Sequence, residues 1–131
     1  MKFPRRWNMG TIDADAVRRF ATASLDANAI HLSTEAAHAA GLDDGPIVHG
    51  MLIYSMVEVC LNQDEPSKLY SLAIQFLKPL LVGSQLAIEA RQVKQEDDKV
   101  ILRILCRDAK CNLIAIGEAS LRASRNFPVS Q

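Results

Sequence analysis

Apolar positions along this chain follow two rhythms, and the rhythm changes near the middle. In the first half the spacing is three to four. Val17, Phe20, Ala21 and Ser24 share one face of a helix that Asp13 is placed to cap. The stretch from Leu25 to Leu32 breaks that pattern. Ser33 predicts the N-cap of a second, short helix, with Glu35 in its first turn and Gly41 as its stop. "GLDDGPIVHG" reads as a loop by its glycines, aspartates and proline. From Gly50 to about Asn62 apolar residues run almost unbroken and without strand alternation, which predicts a buried helix covered on most sides.

In the second half the period is two. "LYSLAIQFL" is rich in strand formers, Pro79 interrupts it, and Gly83 and Ser84 turn the chain. "QLAIEARQV" alternates Leu86, Ile88 and Ala90 against Glu89 and Arg91. After a turn at "EDDK", "VILRILCRD" places Val100, Leu102, Ile104 and Cys106 on one face and Arg103 and Arg107 on the other. "NLIAIGEASL" supplies the last strand. Sequential strands with tight connections predict an antiparallel sheet, and a long buried helix followed by such a meander is an α+β layout. The N-terminal "MKFPRRWNMG" has no apolar core, so no signal peptide is expected, and its basic cluster of Lys2, Arg5 and Arg6 reads as a solvated end.

Composition narrows the function classes. A chain of 131 residues, 49% hydrophobic and 23% charged, is expected to form one globular domain, residues 1–131. Lys+Arg and Asp+Glu cancel at 15 each, which leaves no electrostatic footprint for nucleic acid. Three cysteines, Cys60, Cys106 and Cys111, show no paired or metal-ligand spacing, so reduced thiols and a cytoplasmic setting are expected. The longest mostly apolar run, "IVHGMLIYSMVEVCL", is broken by His49, Ser55 and Glu58, and is too short and too polar to span a membrane.

Two short stretches carry candidate chemistry. "SLDANAIHLS" brings Asp26, Asn28 and His31 together in an irregular segment, so the acid and the imidazole can point into one cleft. Such a pair can hold a water and move its proton; equally, Asp and Asn are common as caps and turn formers. In "GPIVHGML", Gly50 opens the long helix. Its free N–H groups are donors for a developing oxyanion, and glycine admits a ligand close to the backbone. By itself this is also an ordinary helix entry.

Taken together the stretches say more. "ASLDANAIHLSTEAA" followed by "GPIVHGMLIYSM" resembles the hydratase-2 motif of the MaoC-like, R-specific enoyl-CoA hydratases. "FLKPLLVGSQL" is similar to that family's Phe-x-x-Pro-x-x-x-Gly segment, and the resemblance runs from about Asp13 to Arg122. It implies a hotdog fold, a long central helix wrapped by an antiparallel sheet, in a homodimer. It implies (R)-specific hydration of a trans-2-enoyl-CoA, or the reverse dehydration, on a thioester of coenzyme A or acyl carrier protein. No metal or cofactor is implied beyond the coenzyme A of the substrate. By matching positions, Asp26 and His31 would be catalytic, and the Gly50 N–H would hold the thioester carbonyl. Asn28, His49, Met51, Ser55 and Glu58 would support or line the substrate site. Two other hotdog activities remain open: a thioesterase using a helix carboxylate such as Glu58, and a non-catalytic acyl-thioester binder, against which the intact Asp26–His31 pair argues. The chain departs from the family at Leu25 and Ala29, where Gly and Pro are usual, and at Ser84, where an acid follows the glycine.

Overall fold

The computed structural model describes residues 2–63 and 68–122. Five strands and three helices follow one another as β1 (Arg5–Thr11), α1 (Ala14–Ser24), α2 (Thr34–Ala39), α3 (Gly50–Leu61), β2 (Lys68–Phe76), β3 (Gln85–Glu96), β4 (Lys99–Arg107) and β5 (Leu113–Arg122). The expected caps are in place: Asp13 Oδ1 accepts from the Ala16 N–H at 2.8 Å and Ser33 Oγ from the Ala36 N–H at 3.1 Å. Each satisfies a donor that the first helical turn leaves over.

All strand pairs are antiparallel, in the order β1-β3-β4-β5-β2. Two expectations are corrected here. The N-terminal segment is not a solvated end: Arg5–Thr11 is an edge strand paired to β3, with Trp7 opposite Ile88. The sheet is also not a simple meander, because only β3, β4 and β5 are neighbours in sequence order. β2 lies at the far edge against β5. Gly117 permits that pairing, since a Cβ there would sit 2.6 Å from the Ala73 carbonyl oxygen.

The period-two faces are as read from the sequence. Leu86, Ile88, Ala90, Val100, Leu102, Ile104 and Cys106 are buried, and they pack with Ile53, Val57, Cys60 and Leu61 of α3 in one core. Full burial of a side chain such as Leu102 contributes about 1.5–3 kcal/mol. Helix α3 lies beside β2, where the Tyr54 hydroxyl donates to the Leu72 carbonyl at 3.2 Å. It is less covered than its composition predicts: Met51 is 57% and Val59 59% exposed. Among the described residues nothing covers that apolar surface of the helix. Among the described residues, no helix is long and apolar enough to cross a membrane.

Candidate active site

The site is a corner between the end of α1 and the start of α3. Helix α1 stops because Leu25 adopts a left-handed conformation, φ 62° and ψ 18°. There the Ser24 hydroxyl donates to the Phe20 carbonyl at 2.7 Å and accepts the Asp26 N–H at 3.2 Å. The chain turns, and Asp26 and Asn28 stand exposed. Asn28 serves the fold directly: its Oδ1 accepts the Ile30 N–H at 3.2 Å and starts a single 3-10 turn, Ala29–His31. That turn presents the His31 ring, half-buried, to the corner.

Two imidazoles lock the corner. His31 Nδ1 lies 2.8 Å from the Ile47 carbonyl, and His49 Nε2 lies 2.8 Å from the Asp26 carbonyl. A carbonyl only accepts, so both nitrogens carry the proton. In a neutral ring the other nitrogen, Nε2 of His31 or Nδ1 of His49, is an acceptor. The rings stack, centroids 3.7 Å apart and planes 24° from parallel. The Ile47 N–H returns a bond to the Ile30 carbonyl at 3.2 Å, so the His31 segment and the entry to α3 are laced from both sides.

A carboxylate oxygen of Asp26, a ring nitrogen of His31 and a ring nitrogen of His49 lie within 4.8 Å of one another. A separation near that bound admits a water bonded to both Asp26 and His31, since two hydrogen bonds of about 2.8 Å can span it. It suits a metal ion less well. His49 is 1% exposed, which leaves little room at its ring for an ion and its remaining ligands.

Gly50 is the first residue of α3, and no side chain caps that helix. Its first N–H groups therefore lack intrahelical acceptors. The absent side chain has a neighbour: a Cβ on Gly50 would come within 3.1 Å of the Phe76 ring. Beside this helix start opens a cleft of about 370 Å³, lined by Ile47, Val48, Gly50, Ile53, Phe76 and Leu80 among others. A cleft of about 420 Å³ on the other side of Ile47 and Leu80 reaches the Gly41–Gly45 loop and Asp108. Neither is lined by Asp26 or His31.

The remaining sequence candidates are placed as follows. His49 is buried, and its ring touches Asp26, His31 and Phe20, the last edge-on at 4.9 Å. Met51 and Glu58 are exposed on α3 and Ser55 is half-buried between them, its hydroxyl donating to the Met51 carbonyl at 2.8 Å. Neither Ile47 nor Phe76 stands out in the sequence as a site residue. Phe76 heads the Phe-x-x-Pro-x-x-x-Gly segment, a usable signal, whereas Ile47 acts through a main-chain carbonyl that no side-chain pattern reveals.

Comparison with known proteins places the chain in a family. A family model described as "MaoC like domain" matches residues 3–104. An (R)-specific enoyl-CoA hydratase of Aeromonas caviae is 33% identical over 97 residues, 72% of this chain and 72% of that protein. A mitochondrial 3-hydroxyacyl-[acyl-carrier-protein] dehydratase of Arabidopsis thaliana is 27% identical over 93 residues, 69% of this chain but only 55% of that protein. The solved (R)-hydratase of A. caviae superposes with a TM-score of 0.83 at 24% identity, covering 95% of this chain and 98% of that one. The fold is thus the hotdog fold, a helix held against an antiparallel sheet.

Proposed function

The chain belongs to the MaoC-like domain family, and from that premise we propose that it is a hydro-lyase that adds water to trans-2-enoyl thioesters, or removes it from 3-hydroxyacyl thioesters. The observation that carries this reading is the Asp26–His31 pair, a carboxylate oxygen and an imidazole nitrogen within 4.8 Å, near the helix start at Gly50 that no side chain caps. In the enoyl thioester C3 is electrophilic because the carbonyl withdraws charge. Asp26 and His31 hold the water; as its oxygen bonds C3, the pair accepts its proton and returns one to C2. The negative charge that builds on the thioester oxygen meets the Gly50 N–H at the positive end of α3. The pair contributes roughly 10²–10⁴-fold and the donor about 10²-fold or more.

The product is the (R)-3-hydroxyacyl thioester. The test couples crotonyl-CoA hydration to stereospecific dehydrogenases. Consumption of product by an R-specific enzyme is expected; consumption only by an S-specific one overturns the assignment.

The working form is a homodimer. Met51 and Val59 are exposed on α3, and β2, which packs against that helix, is the edge strand of the sheet among the described residues. A second copy covering both would pair edge to edge and complete the site. Light scattering at micromolar concentration should give twice the chain mass; a monomer mass contradicts it. In that setting Met51, Ser55 and Glu58 line the acyl pocket. A long alkyl chain would strip water from Glu58 and return no hydrogen bond, so short or polar acyl groups are favoured. Glu58→Leu should shift kcat/KM toward longer chains, and an unchanged chain-length profile would remove Glu58 from the pocket. Three free thiols fit a reducing compartment such as the cytoplasm.

A further inference from the structure

One buried polar side chain takes no direct part in that reaction. His49 is 1% exposed, and among the described residues its Nδ1 has no hydrogen-bond partner. Burying an imidazole with one polar atom unsatisfied is costly. The ring is nevertheless held on three sides, by Nε2 to the Asp26 carbonyl at 2.8 Å, by its face to His31 at 3.7 Å and by the edge contact with Phe20 at 4.9 Å. Its own main chain starts α3, the His49 carbonyl accepting the Leu52 and Ile53 N–H groups at 3.0 and 3.3 Å.

Accepting the hydratase reading, we propose that His49 is the positioning residue that fixes Asp26, His31 and the Gly50 N–H relative to one another. The side chain pins the main chain of the acid. The ring face sets the distance of the base. The backbone sets where the helix, and so the Gly50 donor, begins. Asp26 needs such a tether because it sits on an exposed turn that follows a left-handed residue, with little packing of its own. A shift of about 1 Å in a reacting group is enough to cost roughly 10²-fold in rate. Histidine meets the requirement where its nearest substitutes do not: Phe has the flat face but no donor, and Gln has a donor but no face.

The test is steady-state hydration of crotonyl-CoA by wild type, His49→Phe and His49→Gln, with the Tm of each. His49→Phe keeps the stack and removes the donor; it should lower kcat about 10-fold or more with KM changed less than about threefold. His49→Gln, which returns an N–H near the Asp26 carbonyl, should recover a clear part of that kcat. A wild-type kcat in His49→Phe overturns the proposal. So does a loss confined to KM, which would make His49 a substrate contact, or equal losses in both variants that simply follow Tm. Wild type inert toward crotonyl-CoA is a different failure: it brings down the hydratase reading itself, and the role of His49 with it.

Discussion

The sheet core and the catalytic corner are built by different forces. In β3 to β5, Ile88, Leu102, Ile104 and Ala115 are all 0% exposed, and their side chains are held by apolar packing alone. Between Leu25 and Gly50 few side chains are buried, Ala37, Val48 and His49 among them, and the corner is fixed by side chains that reach main-chain groups. Apolar burial is non-directional and tolerates small shifts. Hydrogen bonds to carbonyls are directional, so they can place an acid and a base to within a fraction of an ångström. The first region supplies stability and the second supplies geometry, and variants should separate the two.

The largest separation is expected at the reacting groups. Asp26→Asn keeps the main-chain carbonyl that His49 holds, and should lower turnover roughly 10²-fold or more with Tm nearly unchanged. His31→Ala should lose as much activity and, without its bond to Ile47, at most about 1 kcal/mol of stability. If both instead lose stability and keep activity, the two residues are caps and the comparison fails. The opposite pattern is expected in the core. Leu102→Ala should destabilise by about 2–5 kcal/mol in denaturant unfolding, while kcat per folded molecule stays at the wild-type level.

Leu25 belongs to neither region. It is 90% exposed with φ 62°, so its side chain gains nothing from packing while its backbone is strained. Leu25→Gly should raise stability by about 1 kcal/mol, readable as a higher Tm. A fall in Tm would mean that Leu25 is covered by something outside this chain. The smallest effect concerns the thiols. Burial, with Cys60 nearby, pushes the Cys106 thiol up to about 12, and burial also raises Cys60. A raised thiol contributes stability that is complete below its ordinary value of 9.0 and is lost as pH climbs toward about 12. Tm should therefore hold to about pH 9 and then fall, less steeply in Cys106→Ala. At neutral pH a thiol reagent should label the exposed Cys111 alone among the three cysteines.

The same division explains what was legible in the sequence. The core strands and α3 follow period and composition, so Val100 to Cys106 and the helix from Gly50 could be read directly. β1 was hidden because Arg5 interrupts the alternation of Phe3, Trp7 and Met9, although these four are the half-buried positions of that segment. Periodicity says nothing about strand order, so the place of β2 beyond β5 was not accessible. The Asp26–His31 pair was visible as a motif. Its restraint was not: the bonds from His31 to Ile47 and from His49 to Asp26 join a side chain to a distant carbonyl, 16 and 23 residues away. The exposed face of α3 contradicts the expectation of full cover because the described residues form a single sheet, which covers one side of the helix.

The most direct measurement follows crotonyl-CoA with wild type and Asp26→Asn in parallel, reading enoyl absorbance and free thiol together. Wild type should remove the enoyl absorbance and release no thiol, while Asp26→Asn leaves the absorbance nearly unchanged. Release of thiol by wild type, or equal loss of absorbance with both proteins, would contradict hydration by the Asp26–His31 pair.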